Sequence, residues 1–356
     1  MAATADAVLA ELRERVSAAH RTRQALRLKG SGTKDFYGES LAGEVLELRA
    51  HQGIVDYEPS ELVITARCGT PLSQIEAALA AHGQFLAFEP PAFGADPTLG
   101  GVIAAGLSGP RRVYAGAARD FVLGARLLTA NGELLRFGGQ VMKNVAGFDV
   151  SRLLCGSLGI LGVITEVSLK VLPRPRAEQT VRLELTAAAA VESFNRWSAL
   201  GLPISGGAWW QDSAWVRLSG APPAVRSARE RIGGEAIDAA SAQARWDALR
   251  HCQLPLFDSR VIWRLSVPGA APPLSLPGEP LIDWGGALRW YADPAAGADV
   301  RGVASAAGGT ALCWRGAAPA GRFHPLPPVL ARLHRRLKER FDPHGIFNPG
   351  RLLAGL

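Results

Sequence analysis

Apolar positions at the start of the chain recur at helical spacing. Val8, Leu9, Leu12 and Val16 share one stripe of the segment Met1 to Arg27, which predicts an amphipathic first helix. The period then drops to two. ALRLKG (Ala25–Gly30) reads as a strand running into a turn, and EVLELRA and ELVITARCGT read as further strands. A helix begins near Pro71–Leu72 and carries Ser73, Ile75 and Leu79. This alternation of β and α elements continues to about Leu172 and argues for an α+β or α/β domain. The two prolines of VLPRPRA close the block.

A second block, from about Glu178 to Ala320, differs in composition as well as pattern. Seven of the nine tryptophans fall between Trp209 and Trp290. SAWVRLSG, SRVIWRLSV and GALRWYA are patterned as strands between alanine-rich helical runs, and Pro268–Pro280 is a loop. The block predicts a second α+β domain built on an antiparallel sheet. The remainder, Pro327–Leu352, predicts one amphipathic helix with Leu330, Leu333, Leu337 and Phe341 on one face, followed by a turn-rich tail. The expected boundaries are therefore 1–175, 176–322 and 323–356.

Composition narrows the class. The chain has 356 residues, is 48% hydrophobic and has a mean hydropathy of +0.09, which suits two globular domains. No apolar run approaches the roughly 18 residues of a membrane span. The N-terminal stretch lacks the apolar core of a signal peptide, and Asp6, Glu11 and Glu14 speak against a transit peptide. Cys68, Cys155, Cys252 and Cys313 are far apart, and the seven histidines are scattered. A disulfide framework, a zinc site or an iron–sulfur cluster held by this chain alone is therefore not expected, and no metal ligands are assigned. The net charge is +7, and all but five of the 39 basic residues are arginine. They are spread along the chain with no cluster interleaved with aromatics, so nucleic acid is not the expected partner. Compositional bias is the better explanation of the excess, with help in holding an anionic ligand or an acidic partner as a second role.

Three glycine-rich turns stand out in the first block: KGSGTKDFYG (Lys29–Gly38), EPPAFGADPTLGGVIAAGLSG (Glu89–Gly109) and VMKNVAGFDVSRLLCGSLGILGVIT (Val141–Thr165). The last holds Gly147, Gly156, Gly159 and Gly162, although glycine inside an ordered element costs about 0.5–1 kcal/mol relative to alanine. Consecutive turn amides form anion-binding nests, and a dinucleotide presents a pyrophosphate to fill one. Asp35 stands where a third Rossmann glycine would be, so G-x-G-x-x-G fails, and no G-x-x-x-x-G-K-[ST] occurs. Three such turns, each abutting an apolar β-like run, predict a dinucleotide site of another kind.

The order G-S-G-T, then P-P-x-F-G…T-L-G-G-x-x-A-x-G, then G-S-L-G-x-L-G-V-I-T-E resembles the vanillyl-alcohol-oxidase (PCMH-type) FAD-binding superfamily, as does the closing FDPHGIFNPGR. The run from GLSGPRR through VMKNVAGFD to VLP, with IDWGGALRW in the second block, resembles the E subunits of bacterial glycolate oxidases. The resemblance implies an α+β fold: a two-subdomain FAD-binding domain, and an α+β cap domain with an antiparallel sheet over the isoalloxazine ring. It implies that Gly30, Ser31, Gly32, Thr33 and Lys34 cradle the pyrophosphate. Pro91, Thr98, Leu99, Gly100 and Gly101 would line a second side, with Ala104, Ala105 and Gly106 allowing close approach. Gly159, Ile160, Gly162, Val163 and Ile164 would flank the adenine and ribose, and Asn348, Pro349, Gly350 and Arg351 would return near the flavin. On this reading the glycines are kept because side chains would collide with FAD. Lys143, Asn144, Asp149 and Arg152 order the loop or face a partner, with a catalytic role as the lesser alternative.

The chain departs from the superfamily in two ways. The pyrophosphate loop has neither histidine nor cysteine, so FAD is expected to be held non-covalently. Oxidation of a 2-hydroxy acid also needs a cation for the carboxylate and a base for the hydroxyl proton. The place comparable to the histidine-rich segment of the related catalytic subunits reads GGTALCWRG (Gly308–Gly316). Arg260, Arg264, Arg289 and Arg315 are candidate carboxylate ligands, but surface or ion-pair roles are the expected ones; His251, His324 and His344 are isolated, with loop or core roles, and no catalytic base is assigned. The expectation is an FAD-binding subunit that oxidises glycolate to glyoxylate together with a catalytic FAD subunit and an iron–sulfur subunit. It is placed in the cytoplasm, with any contact to the inner membrane made through those partners. A self-sufficient flavin oxidase of an alcohol or hydroxy acid, and a non-catalytic assembly subunit, remain the alternatives.

Overall fold

Helix α1 (Ala5–Thr22) forms because Thr4 caps it, its side chain accepting from Ala7 N, and because one stripe is apolar. Val8, Leu12, Val16 and Ala19 are buried, while Leu9 is half-buried. The computed structural model describes residues 4–94, 96–139, 149–294, 298–318 and 320–356. Its contacts divide the chain into two units. Unit 1 is Met1–Leu107, Ala117–Pro173 and Pro325–Leu356, and unit 2 is Ser108–Gly116 and Arg174–His324.

In unit 1, α1 is followed by β1 (Leu26–Lys29), β2 (Glu44–Glu47), β3 (Ile54–Glu58) and β4 (Val63–Arg67). Next come α2 (Leu72–Ala80), β5 (Gln84–Phe85) and α3 (Leu99–Ala105). After α4 (Arg112–Ala115), which goes with unit 2, unit 1 resumes with α5 (Ala118–Phe121), β6 (Val122–Leu128), β7 (Leu134–Gly138), α6 (Val150–Leu154), β8 (Val163–Lys170) and β9 (Leu172–Pro173). β1 and β2 pair in parallel, Leu26 opposite Glu44. A five-stranded antiparallel sheet runs β3-β4-β8-β6-β7. The stripe of α1 packs on Leu26, Leu46, Leu128, Val163, Ile346 and Phe347 in one core.

Unit 2 contains β10 (Ala177–Glu184), α7 (Ala187–Ala199), β11 (Ile204–Trp210), β12 (Ser213–Gly220), α8 (Pro222–Ile232) and β13 (Glu235–Ile237). It continues with α9 (Ala239–Arg250), β14 (Ile262–Ser266), β15 (Leu281–Asp283), β16 (Leu288–Ala292), α10 (Val300–Ala306) and β17 (Thr310–Arg315). These strands form one eight-stranded sheet in the order β13-β10-β12-β11-β15-β16-β14-β17, with every pair antiparallel. The short stretch Ser108–Gly116, expected in the first domain, is bound here by side chains. Trp284 Nε1 donates to Gly109 O at 3.0 Å, Arg112 lies 4.2 Å over the Trp284 ring, and Arg111 pairs with Glu178. The S-G-P-R-R and I-D-W-G-G motifs are thus two halves of one contact.

In the last helix, α11 (Pro328–Phe341), the apolar face is not the one that is buried. Leu330 and Leu333 are 44% and 48% exposed, Leu337 and Phe341 are only half-buried, and the buried residue of the helix is Lys338. Its ammonium donates to Asp342 Oδ2 at 2.6 Å, Ile160 O at 2.7 Å and Phe347 O at 2.8 Å. Asp342 in turn accepts from the amides of Ile346 and Phe347. A buried charge satisfied this fully decides which side of a short helix faces inward.

Lys338→Met leaves the Asp342 carboxylate buried without its cation, and breaking such a pair costs about 3–5 kcal/mol. The expected result is a lower urea midpoint by circular dichroism and faster hydrogen exchange at Ile346, Phe347 and Asn348. An unchanged midpoint and unchanged exchange would show that the pair does not hold the tail.

Candidate functional site

Unit 1 carries a cleft of about 800 Å³, part of it open to solvent. The end of β1 and its loop, Leu28 to Asp35, form one wall; Thr98, Gly100, Gly101, Ala104 and Ala105 of α3 form another, backed by Cys68. Leu158, Gly159, Gly162 and Ile164 form a third, and Asn348 and Arg351 of the tail complete it.

Each wall is placed by backbone bonds. The amides of Leu99 and Gly100 donate to Thr70 O and Cys68 O, which sets the start of α3 on the turn after β4. At the other end of α3, the Ile103 and Ala104 carbonyls accept from Gly156 and Leu158. The tail then joins the walls. Asn348 N donates to Leu26 O, Asn348 Oδ1 accepts from Leu28 N at 2.7 Å, and Asn348 Nδ2 donates to Leu158 O at 2.7 Å. The buried Arg351 guanidinium donates to the carbonyls of Lys34, Asp35 and Tyr37, at 3.1, 2.9 and 2.6 Å. With the carbonyls of the β1 loop drawn toward Arg351, the amides of Ser31, Gly32 and Thr33 make no hydrogen bond to protein among the described residues.

The charges of the loop are unevenly satisfied. Lys29 pairs with Glu47 at 2.8 Å and Arg27 with Asp35 at 2.6 Å. Among the described residues the Lys34 ammonium has only the Thr33 hydroxyl at 3.5 Å and the Phe93 ring at 5.7 Å, and burial pushes its pKa down to about 8. Burial pushes the Cys68 thiol up to about 12, so it sits at the back of the cleft as a neutral group. Free amides beside a desolvated cation form a receptor for an anion such as a pyrophosphate.

Of the residues singled out in the sequence, Gly30, Ser31, Gly32, Thr33, Lys34, Thr98, Gly100, Gly101, Ala104, Ala105, Gly159, Gly162, Ile164, Asn348 and Arg351 come together on this cleft. Pro91, Leu99, Gly106, Ile160, Val163, Pro349 and Gly350 are not on its lining. Leu99 and Val163 are core residues, Gly106 caps α3, and the Ile160 carbonyl is an acceptor for Lys338. Leu28, Lys29, Asp35, Leu41, Leu48, Cys68 and Leu158 line the cleft without having been singled out.

The reason for the glycines is also corrected. A side chain at Gly30 would meet Thr98 Oγ1 at 2.2 Å, and one at Gly159, where φ is +74°, would meet Asn348 Nδ2 at 2.8 Å. Protein packing and backbone conformation, before any ligand, exclude a side chain there. Asp149 caps α6 by accepting from Arg152 N and pairs with the Arg152 side chain at 3.1 Å, so these two order the local turn. Gly147, Lys143 and Asn144 lie outside the described residues.

In unit 2 the candidate carboxylate ligands are mostly engaged. Arg289 donates to Gly286 O, Pro272 O and Ala271 O, and Arg315 to Phe257 O and Ser259 O. Arg264 lies over the Trp284 and Trp290 rings at 4.9 and 5.7 Å, while Arg260 is exposed. His324 Nδ1 accepts from Ala311 N, and its Nε2 is 3.3 Å from Ser305 Oγ. His251 is half-buried after α9. In unit 1, His344 packs its ring 4.5 Å from that of His20.

Comparison with known proteins gives the family. A family model described as an FAD binding domain matches residues 7–138. The glycolate oxidase subunit GlcE of Escherichia coli (strain K12) is 49% identical over 346 residues, covering 97% of this chain and 97% of that protein. The glycolate oxidase subunit GlcD of Bacillus subtilis (strain 168) is 33% identical over 43% of this chain and 33% of its own length. A D-lactate dehydrogenase of Anaerostipes hadrus is 32% identical over 38% and 28%. Among solved structures, alkyldihydroxyacetonephosphate synthase matches with a TM-score of 0.67 over 96% of this chain and 74% of that one, at 16% identity, which is likeness of fold. The chain carries an FAD binding domain and belongs to the family of the glycolate oxidase subunit GlcE.

Proposed function

We propose that this chain is the FAD-binding subunit of a multi-subunit glycolate (2-hydroxy-acid) dehydrogenase, working with a catalytic FAD subunit and an iron–sulfur subunit. The observation that carries the reading is the anion receptor at the end of β1: three amides without a protein acceptor among the described residues, beside the desolvated Lys34. The near-full-length similarity to a glycolate oxidase subunit supports the choice of complex and substrate.

In this reading Ser31, Gly32, Thr33 and Lys34 hold the pyrophosphate, and Asn348 fixes the spacing between that loop and the Leu158–Gly159 turn. Gly100, Gly101, Ala104 and Ala105 present a flat wall to the nucleotide. When bound, FAD supplies an acceptor and donor for electron pairs. The loop offers neither histidine nor cysteine for a tether, so the cofactor is held non-covalently. Because Arg289 and Arg315 are spent on backbone carbonyls and His324 on Ala311 and Ser305, we assign abstraction of the substrate proton to the catalytic partner. No described helix is long and apolar enough to cross a membrane, and we place the chain in the cytoplasm, reaching the inner membrane only through its partners.

An anaerobic visible spectrum of the isolated chain, recorded before and after glycolate, tests this division of labour. We expect a bound flavin that stays oxidised until partner subunits are added. Bleaching by glycolate alone would make the chain a self-sufficient oxidase, and well-folded protein without flavin absorbance would make it an assembly subunit. Acid precipitation should leave the flavin in the supernatant; yellow colour in the pellet would reveal a covalent tether.

Lys34 makes FAD binding pH-dependent. In the free protein it loses its proton near pH 8, and a pyrophosphate alongside favours the charged form. Binding above that pH takes up a proton, so affinity is flat below about pH 8 and falls by up to about tenfold per pH unit above it. Lys34→Met should weaken binding about 10–100-fold at pH 7, the worth of a charge-assisted hydrogen bond, and flatten the profile. Fluorescence titration of FAD between pH 6.5 and 9.5 reads both; a flat profile in the unaltered chain would remove Lys34 from the site.

A further inference from the structure

Helix α11 sits on unit 1 by the wrong edge for its pattern. At 3.6 residues per turn, the stripe Val329, Leu330, Leu333, Leu337 and Phe341 is centred roughly 110° around the helix from Lys338, the residue that faces inward. The stripe is consequently left at the surface, with Val329, Leu330 and Leu333 at 57%, 44% and 48% exposed. It also continues beyond the helix. Phe341 meets Phe137 edge-on at 6.4 Å, and Leu135, two residues along the same face of β7, is 37% exposed. Among the described residues, β7 is an edge strand of its sheet.

Charge selects what covers this surface. Arg332, Arg336 and Arg340 recur every four residues along the outer border of the stripe, all exposed, and Arg335 adds to them; Glu339 is the one exposed acid of the helix. The opposite border is the body of unit 1. An amphipathic helix lying on a lipid surface carries basic residues on both flanks of its apolar face. Here one flank is basic and the other is protein, which makes a ledge for a folded partner.

We propose that the α11 stripe and the β7 edge are the seat of a partner subunit, which presents an apolar ridge flanked by Asp and Glu. This rests on the reading of the chain as one subunit of a redox complex. The seat is tied to the cofactor cleft through Lys338, whose acceptors Ile160 and Phe347 are the chain neighbours of the lining residues Gly159 and Asn348. Docking on α11 therefore steadies two walls of the cleft, and FAD in turn steadies the seat.

The test is purification of the tagged full-length chain from its native host, with the double variant Leu330→Glu/Leu333→Glu and, as control, Leu200→Glu, an exposed leucine of unit 2. The double variant should keep its circular dichroism and thermal midpoint but recover at least tenfold less of the co-purifying redox subunits, while the control keeps them. A benzoylphenylalanine photo-crosslinker at position 333 should attach to an Asp/Glu-rich peptide of one of those subunits. Full recovery of partners by the double variant, or equal loss in the control, overturns the proposal. Wild-type chain that brings down no redox subunit overturns it together with the subunit reading. An intact complex, combined with loss of pelleting on phosphatidylglycerol vesicles in the double variant, overturns it in favour of a lipid surface.

Discussion

A single buried ammonium determines how the C-terminal segment meets the rest of unit 1. A cation removed from water is tolerated only when its protons are taken up by acceptors. Lys338 finds three: a carboxylate four residues on, a carbonyl in the turn before β8, and a carbonyl in the tail. Satisfying it fixes the rotation of α11, the path of the chain from Asp342 to Phe347 and the position of the turn at Ile160 together. Asn348 and Arg351 follow directly, and they bond to β1, to Leu158 and to the loop after β1. The cleft thus has walls far apart in sequence that are held at set distances by the last part of the chain.

That arrangement explains why the cleft is built of backbone. Thr98 Oγ1 and Asn348 Nδ2 occupy the positions that side chains at Gly30 and Gly159 would need. The roughly 0.5–1 kcal/mol lost at each glycine is offset by a wall-to-wall contact that a larger residue forbids. Exposed amides are the by-product. With the loop carbonyls drawn off by Arg351, the Ser31–Thr33 amides make no hydrogen bond to protein among the described residues, and Lys34 is left partly desolvated beside them. Contacts within the chain organise the loop, and in the proposed reading a pyrophosphate completes what they leave open.

What could be read from sequence follows from how local each signal is. The G-S-G-T turn, the T-L-G-G helix start and the strands of unit 2 are recognisable because glycine spacing and period-two patterning act over a few residues. Leu99 and Val163 are core residues while their neighbours Gly100 and Ile164 line the cleft, and adjacent positions carry no marker of side. Leu28, Cys68 and Leu158 went unnoticed because an apolar residue lining a ligand site looks like any core residue. The rotation of α11 was out of reach for another reason. Its amphipathic pattern is genuine, but the acceptors that bury Lys338 come from Ile160 and the tail, and no window of sequence contains both.

The same conflict bears on function. A helix whose apolar stripe is turned away from its own core keeps that stripe at a cost in solubility, and the cost is offset if another surface covers it. In unit 2, Arg289, Arg315 and His324 are committed to carbonyls, an amide and a hydroxyl. A cleft with backbone-lined walls, these three residues engaged in structure, and an apolar ledge left outward are together what a chain needs if, as we propose, it holds a cofactor and leaves substrate chemistry to a neighbour. A self-sufficient oxidase would show the reverse, with free cations near a base and a last helix seated by its leucines.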